Sequence, residues 1–431
     1  MSIEEKMSVH YSVIDFHEVV VVGAGLAGLR ATQKLSEQIS DILVIEKDRG
    51  VGGLAWSPTI ELPNGTKERV HAGPSEHMST HTSVRRILEE TRGSPDLDRN
   101  QQNLAKERYA NELPETVILA EKELEMRMLQ SGSMFTRIGD LNTRGSDVSP
   151  EKYLPWWDEA KRFIVTDGVQ YMQTSAKSLT TSSYGVMAKY IRKCCENRGV
   201  QFHTDARVAG IRSANHGFIV SYIHDKRLQE VQCSNIVLAV PPRGLLGINL
   251  EKCSLNVRGR VRDLVGSCSE VFSTRVHFVY ENAQTWLQKN AGTSAAHLID
   301  NQSLFRWAIA LSPTILLASY TDDETAKRLA ESLRNNKEET CNRLLQDINA
   351  RLSPGMALSR PTAVHVGGAH GVAAFHVRTN PQLNVSSIAA PDNGERFVIA
   401  GEWVSDPRLR GWMEGALQSG ERAAKALLSR R

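Results

Sequence analysis

The residues best suited to chemistry stand near the N-terminus, where the chain reads VVVVGAGLAG over residues 19–28. Gly23, Gly25 and Gly28 form a G-x-G-x-x-G turn between an apolar run and a helix-forming stretch. In such a turn the first glycine allows the tight bend, the second lets a pyrophosphate approach the backbone, and the third lets helix and strand pack closely. Free N–H groups at the start of the helix then bind phosphate. This segment therefore predicts a dinucleotide site.

A matching acidic residue follows at the expected distance. Glu46 stands 18 residues after the last of these glycines and closes the apolar run Ile42–Ile45. An acidic residue at the end of the second strand suits a hydrogen bond to a ribose hydroxyl. Together with a helix over Leu26–Glu37, these residues predict a βαβ unit. Gly52 and Gly53, in KDRGVGG, would lie next to it.

A second glycine-rich block lies near the C-terminus, where residues 400–420 read AGEWVSDPRLRGWMEGALQSG. The preceding residues Phe397–Ala400 predict a buried strand that ends at Gly401. From Trp412 to Leu428 the small and apolar residues predict a helix. Free N–H groups at the start of that helix would suit a diphosphate or the electron-rich edge of a flavin ring.

These patterns predict an α/β protein in which a Rossmann-like FAD-binding domain is interrupted and joined to a mixed α+β substrate domain with a helical insertion. At 431 residues the chain is long enough for two domains. The predicted parts are a flexible tail over 1–16, the FAD-binding domain over 17–82, 183–255 and 380–431, a helical substrate-domain segment over 83–182, and a substrate-domain sheet and helix over 256–379. In the last part a long amphipathic helix is predicted over Thr325–Arg351.

Composition narrows the function classes. With 52 Lys and Arg against 49 Asp and Glu, the net charge of +3 does not indicate nucleic acid as a partner. No apolar stretch reaches the eighteen residues of a membrane-spanning helix, so no membrane partner is predicted. The six cysteines have no C-x-x-C spacing, which favours reduced thiols and a cytoplasmic location.

His71, His77 and His81 form a close set in the sequence. One of them could lie beside a cofactor ring, or the set could contribute to a metal site. No carboxylate or cysteine completes a metal-binding pattern, so no metal is predicted.

The motifs together resemble the flavin-containing amine oxidase family, which includes monoamine, polyamine and L-amino-acid oxidases. The resemblance rests on G-x-G-x-x-G, Glu46 and the GG pair, on AVPP at the end of a predicted strand over Asn235–Val240, and on AGEW with GWMEGALQSG. Within that family the chain is most similar to bacterial L-tryptophan oxidases of bisindole biosynthesis. That narrower likeness lies in PPRGLLGINL, AHGVAAF and GWMEGALQSGERAAKALL.

The resemblance implies an oxidase that carries FAD. The flavin would be noncovalent, because no cysteine stands over residues 405–411, where covalent members attach it. The implied reaction moves a hydride from the amine-bearing carbon of an L-amino acid, aromatic or indolic, to flavin N5, giving an imine, and dioxygen then reoxidises the flavin to yield hydrogen peroxide. A homodimer is also implied. The alternatives are an amine or polyamine oxidase, a decarboxylating monooxygenase or desaturase, and a flavin-binding interaction protein without catalysis.

The resemblance also assigns individual residues. It implies that the ADP half of FAD binds at Gly23, Gly25, Gly28 and Glu46, and that the diphosphate and flavin contact Gly52 and Gly53. The adenine would contact the backbone of Val208. The flavin and its ribityl chain would lie along Glu402, Trp412, Met413 and Glu414. Trp412, with Trp403, is further expected to form an aromatic wall around the amine.

Three positions depart from the family pattern. Leu54 follows the GG pair, where arginine is common. Arg275 stands where many members place a lysine that holds a water against flavin N5. An arginine stays charged and cannot act as a base. Arg275 could instead hold a water or oxygen species by hydrogen bonds, contact a substrate carboxylate, or form a structural ion pair. Pro74 stands where tryptophan oxidases have a carboxylate-binding arginine, and Arg408 or Arg410 would have to replace it.

Overall fold

The computed structural model of the chain describes residues 15–70, 76–78, 81–104, 108–109, 179–181, 184–290, 298–300, 303–353, 355–367, 373–378, 383–391, 396–406, 409 and 412–429. Its strands are β1 (Asp15–Val22), β2 (Ile42–Ile45), β3 (Thr59–Glu61), β4 (Lys67–Arg69), β5 (Glu76–Met78), β6 (Arg108–Tyr109), β7 (Leu179–Thr181), β8 (Gln201–His203), β9 (Arg207–Ala214), β10 (Gly217–His224), β11 (Arg227–Leu238), β12 (Cys268–Val279), β13 (Leu298–Asp300), β14 (Arg306–Ser312), β15 (Ile315–Asp322), β16 (Ala363–Gly367), β17 (Ala373–Arg378) and β18 (Phe397–Ile399). Its helices are α1 (Leu26–Leu35), α2 (Thr82–Gly93), α3 (Arg99–Leu104), α4 (Tyr184–Glu196), α5 (Pro242–Leu245), α6 (Leu255–Gly266), α7 (Thr285–Asn290), α8 (Asp323–Asn335), α9 (Lys337–Asn349), α10 (Val385–Ala389) and α11 (Met413–Leu428).

The first sheet joins strands from distant parts of the chain. Its central strand β1 pairs in parallel with β2 on one side and with β11 on the other. β8 pairs with β2 and β18 pairs with β11, both in parallel, while β9, β10 and β11 form an antiparallel meander. Strands buried on both faces need continuous apolar runs, which VVVV in β1 and ILVI in β2 provide. The predicted Rossmann-like α/β arrangement is confirmed.

Helices α1 and α11, from opposite ends of the chain, pack against each other on one face of this sheet. Gly420 permits the close approach, since a Cβ there would stand 2.3 Å from the Ala27 carbonyl oxygen. Beside this contact, the buried Arg30 donates from Nε to Glu421 at 2.8 Å, and Arg86 of α2 reaches the same carboxylate at 2.9 Å. The middle of α11 is thereby held against α1, the helix that follows the glycine turn.

The second sheet is antiparallel, in the order β13, β14, β15, β12, β16, with β17 also paired to β12. Helices α8 and α9 cover one face, where Val276, Phe278, Leu329 and Leu344 form a buried core. Because side chains alternate along a strand, Arg275 of β12 belongs to the opposite face. Val279 of β12 lies on this second face as well.

The β3–β4 hairpin packs against this second face of the second sheet. Leu62 and Val70 form a small apolar cluster with Val279 of β12 and Ile315 of β15. The hairpin falls within the range 17–82 predicted for the cofactor domain, yet this cluster joins it to the second sheet. The boundaries of the two domains remain a prediction.

The helix predicted over Thr325–Arg351 is two helices, so that single-helix prediction is wrong. α8 ends at Asn335, and Asn336 caps the start of α9 by accepting from the Glu339 N–H at 3.1 Å. Asn336 also donates from Nδ2 to the Glu339 carboxylate at 3.0 Å. An Asn followed three residues later by Glu is an N-terminal capping pattern, and this signal indicated the break.

Two expectations from composition concern the membrane and the thiols. Within the described part of the chain, no helix combines the length and apolar content needed to cross a bilayer. Each of the six cysteines is a free thiol. Burial raises the pKa of the Cys195 thiol to about 12, so this thiol stays protonated near neutral pH.

Candidate cofactor and substrate site

The glycine turn between β1 and α1 has the geometry that its sequence predicts. Gly23 has a φ of 98°, and a Cβ there would stand 2.5 Å from the Ala239 carbonyl oxygen. At Gly28 a Cβ would stand 1.9 Å from the Gly23 carbonyl oxygen. Both positions therefore require glycine for steric reasons, the first for its backbone conformation as well.

Gly25 differs from its neighbours because a Cβ there would meet nothing within 4 Å. It is the N-cap residue of α1 and provides no side-chain acceptor for the first N–H groups of the helix. Gly52 lies alongside, with its N–H donating to the Ala24 carbonyl at 2.8 Å. Gly52 and Gly53 have φ values of 114° and 55°. The start of α1 therefore faces open space bordered by glycine backbone, which is the shape that an anion such as a diphosphate needs.

Glu46 lies at the end of β2 and is 6% exposed. Its carboxylate accepts the backbone N–H of Ala24 at 2.6 Å and that of Asp48 at 2.9 Å. Burial raises the pKa of the carboxyl group, while the two backbone hydrogen bonds act to lower it. The carboxylate thus lies against the glycine turn, where a ribose hydroxyl could donate to its remaining lone pairs.

The chain before β9 runs beside Glu46. The Ala206 N–H donates to the Glu46 carbonyl at 2.8 Å, and the Asp205 N–H donates to the Asp48 carbonyl at 3.1 Å. Val208 follows two residues later, is 7% exposed, and pairs with Tyr222 of β10. The structure therefore brings Val208 near Glu46, and its backbone contact with adenine remains a prediction.

At the C-terminal end, β18 is followed by Gly401 and Glu402, the latter partly buried. The Gly401 N–H donates to Ser419 Oγ of α11 at 2.9 Å. Trp403 is 2% exposed and donates its indole N–H to the Val240 carbonyl at 3.3 Å. Trp403 therefore packs in the core of the first sheet, which differs from the aromatic wall expected of it.

Trp412 precedes α11 and is partly buried. Its indole ring meets the His81 ring edge to face, with the centroids 4.9 Å apart and an interplanar angle of 68°. His81 is 2% exposed and directly precedes α2. Met413 is 4% exposed and belongs to the core cluster that contains α1. The structure thus brings one histidine of the predicted set against the tryptophan predicted for the flavin.

Glu414 has a role that sequence reasoning missed. Its carboxylate is 1% exposed and accepts the N–H groups of Ser83 and Val84, each at 3.0 Å. These are donors in the first turn of α2, and Gln418 donates to the same carboxylate at 2.8 Å. The contacts with Ser83 and Val84 span more than three hundred residues, so no local sequence signal could indicate them.

Arg275 is half-buried on β12, where it pairs with Tyr320 of β15 and Gly367 of β16. Its guanidinium lies 4.4 Å from the centroid of the Tyr320 ring. Among the residues that the structure describes, no carboxylate forms an ion pair with it. A stacked, half-buried guanidinium can bind an anion through a planar pair of N–H donors.

Several predicted residues lie outside the described residues: Pro74, His71, Arg408 and Arg410. The structure does describe Leu54, which stands where the family often has arginine. Its side chain is 47% exposed. In the described ranges, no group of three or more His, Cys, Asp or Glu side chains could hold a metal ion.

The parallel sheet, glycine turn and acidic residue define a dinucleotide-binding protein with a second, antiparallel domain. A model of the flavin containing amine oxidoreductases matches residues 61–428, and a model of the NAD(P)-binding Rossmann-like domain matches residues 21–91. The first match spans most of the chain. The chain therefore belongs to the flavin-containing amine oxidoreductases and is an enzyme of that family.

Solved structures of similar fold include amine oxidases. Putrescine oxidase bound to putrescine aligns with a TM-score of 0.62 and 16% identity over 96% of this chain and 99% of that chain. Cyclohexylamine oxidase from Brevibacterium oxydans IH-35A aligns with a TM-score of 0.59 and 16% identity over the same shares. At this identity the likeness concerns the fold.

The residues present fit the flavin cofactor that the family implies. The start of α1 is uncapped, and the space at Gly25 is open where a diphosphate would lie. Glu46 stands beside it as an acceptor for ribose hydroxyls. The donors and acceptors of this cradle thus match an adenine dinucleotide in charge and position.

Proposed function

We propose that the protein binds FAD noncovalently and oxidises an L-amino acid with an aromatic or indolic side chain, giving an imine and hydrogen peroxide. The observation that carries the choice of substrate is Arg275, on the face of the second sheet opposite its helices. The resemblance to tryptophan oxidases supports the aromatic side chain, and the absence of cysteine over residues 405–411 supports noncovalent binding.

Arg275 supports an amino acid because a half-buried cation gains free energy from an anionic partner. Arginine and carboxylate form paired, charge-assisted hydrogen bonds with matching planar geometry. Stacking on Tyr320 at 4.4 Å restricts the guanidinium without using its N–H donors. A substrate carboxylate would accept from these N–H donors and orient the adjacent amine-bearing carbon.

The other site residues bind the cofactor and form the wall of the substrate site. The start of α1 at Gly25 binds the diphosphate, and Glu46 accepts from the ribose. Trp412 forms the apolar wall that excludes water from the amine, which favours the neutral amine. A bound flavin supplies hydride acceptance and reoxidation by dioxygen. Holding the carboxylate at Arg275 limits the orientations of the substrate, and this restriction lowers the entropic part of the barrier.

A second candidate is an oxidase of amines without a carboxylate. Its support is the similarity in fold to putrescine oxidase and cyclohexylamine oxidase. Arg275 argues against a diamine, since a dicationic substrate would be repelled by a fixed cation in a partly desolvated site. A desaturase or decarboxylating monooxygenase would share the same binding residues and differ in product.

Anaerobic mixing separates these candidates. The flavin-loaded protein is mixed with L-tryptophan, L-phenylalanine, tryptamine and putrescine, and bleaching of the visible flavin absorbance is followed. Rapid bleaching by an aromatic L-amino acid, with hydrogen peroxide and ammonia on admitting oxygen, is expected. Bleaching by tryptamine or putrescine alone would refute the amino-acid assignment and support the amine oxidase.

A further inference from the structure

Two helices that flank the proposed substrate wall begin at one buried carboxylate. Helix α2 begins at Thr82, and its own N-cap residue, His81, provides no side-chain acceptor. The N–H groups of Ser83 and Val84 donate instead to the two oxygens of Glu414, each at 3.0 Å. These are the second and third N–H groups of the helix, which an N-cap side chain ordinarily accepts. Glu414 thus replaces the N-cap of α2 from another helix.

The carboxylate is well matched to this position. It is 1% exposed and receives a third hydrogen bond from Gln418 Nε2 at 2.8 Å. Its negative charge lies at the positive end of the α2 dipole, which favours a carboxylate over a neutral acceptor. A buried carboxylate with three donors is held in one orientation, and it holds its donors in turn.

The residues joined by this contact stand close in sequence to Trp412 and His81. Trp412 stands two residues before Glu414, and His81 stands two residues before Ser83. Their rings meet edge to face at 4.9 Å. A change in the hydrogen bonds at Glu414 would therefore shift both rings, because each ring is attached one residue from a helix end that the carboxylate anchors.

We propose that Glu414 is a positioning residue that fixes the His81–Trp412 pair at the start of α11 and so sets the wall of the substrate site. The kinetic part of this inference rests on the proposed function. The structural part concerns the protein alone and can be measured in the absence of any substrate.

The test variant is Glu414→Gln, which preserves size and places an amide N–H₂ against one of the two backbone donors. The matched control is Asn336→Ala, which removes the N-cap of α9 in the other domain. Both variants weaken a helix cap, but only Glu414 stands close to Trp412. Gln418→Leu is the milder second variant, since it removes one donor and keeps the carboxylate.

Hydrogen exchange and flavin spectroscopy report the positioning directly. In Glu414→Gln we expect faster amide exchange over residues 82–85 and a changed visible circular dichroism of the bound flavin. In Asn336→Ala we expect faster exchange in α9 alone and an unchanged flavin spectrum. Gln418→Leu should give the Glu414→Gln effects at smaller amplitude. Unchanged exchange over residues 82–85 in both Glu414→Gln and Gln418→Leu would overturn the inference, whatever the substrate is.

Kinetic coupling to Trp412 separates positioning from general loss of stability. We expect Glu414→Gln to lower kcat/KM about tenfold with Trp412 present, as for loss of a charge-assisted hydrogen bond. In a Trp412→Phe background the further loss should be less than about twofold, because neighbouring residues are not additive. Equal losses in the two backgrounds would assign Glu414 a structural role only. If no amine reduces the wild-type flavin, the proposed function fails, while the exchange experiment still decides the positioning.

Discussion

At the scale of single residues, Arg275 distinguishes substrates by charge. Arg275→Met removes the cation with little change in volume, and we expect KM for an aromatic L-amino acid to rise about 10- to 100-fold, as for the loss of hydrogen bonds to a charged group. Arg275→Lys retains the charge but loses the planar fork and the stacking on Tyr320, so a smaller rise is expected. The measurement is the ratio of kcat/KM for L-tryptophan to that for tryptamine in each variant.

The control for this comparison is Arg212→Met on β9, where the arginine pairs with Glu230 at 3.1 Å and lies outside the proposed site. It should leave the ratio unchanged. An equal loss of activity toward L-tryptophan and tryptamine in Arg275→Met would contradict a carboxylate contact and return Arg275 to a structural or water-holding role.

The raised pKa of the Glu46 carboxyl group predicts that FAD affinity depends on pH. Burial raises the pKa of this carboxyl group above the ordinary value, so the folded apoprotein holds this proton more tightly than the unfolded chain does. Its contribution to the free energy of unfolding is therefore greatest below the unfolded pKa and falls as the pH rises to the folded value. Ribose hydroxyls that donate to the carboxylate favour the ionised form, so FAD binding releases a proton and FAD affinity should rise with pH across that window.

Flavin fluorescence titrations at a series of pH values, starting near the ordinary pKa of a glutamate and rising to neutral, measure this dependence. Glu46→Gln should bind FAD about tenfold more weakly near neutral pH and lose the slope that Glu46 contributes. Glu230→Gln changes a carboxylate on β11 that pairs with Arg212 and lies away from the cradle, and it should keep the wild-type slope. The same slope in Glu46→Gln would show that another group titrates.

At the scale of elements, the contact between α1 and α11 predicts a steric effect at Gly420. Gly420→Ala would place a Cβ 2.3 Å from the Ala27 carbonyl oxygen, so the helices must separate. We expect a loss of about 1–3 kcal/mol in the free energy of unfolding, as for other overpacked cores, and weaker FAD binding because α1 moves. Denaturant unfolding of the apoprotein checks this.

Gly259→Ala in α6 is the opposite case. A Cβ at Gly259 meets nothing within 4 Å, so alanine should stabilise the helix by about 0.5–1 kcal/mol. If both alanine variants changed stability alike, the close approach of α1 and α11 would not be the cause.

The elements also show which features a sequence can reveal. β1, α1 and β2 could be predicted, because β-branched runs and glycine spacing act through nearby atoms. The break at Asn336 had a local signal in the Asn–Glu pair, but the continuous apolar pattern of the two helices concealed it. The Glu414–Ser83 contact had none, since its partners lie 331 residues apart. Trp403 was misassigned because an aromatic residue in a glycine-rich block is equally suited to a core and to a cofactor wall.

At the scale of the whole molecule, the cofactor cradle depends on contacts between the two ends of the chain. The glycine turn comes from the N-terminal part, and α11 packs on the helix that follows it. A ligand that binds only the folded protein raises its stability by RT ln(1 + [L]/Kd). Free FAD at about 100 times its Kd should therefore add about 2.7 kcal/mol to the free energy of unfolding of the apoprotein.

Gly25→Ala separates the stabilisation by bound FAD from the stability of the apoprotein. Gly25 has a φ of −68° and open space around its Cα, so alanine fits the apoprotein and should change its stability by no more than about 1 kcal/mol. The new methyl group would occupy the space reserved for the diphosphate, so the stabilisation by FAD should disappear. Gly23→Ala, with its positive φ and a contact of 2.5 Å, should destabilise the protein with or without FAD. Thermal unfolding of the three proteins with and without FAD measures both effects, and full FAD stabilisation of Gly25→Ala would place the diphosphate elsewhere.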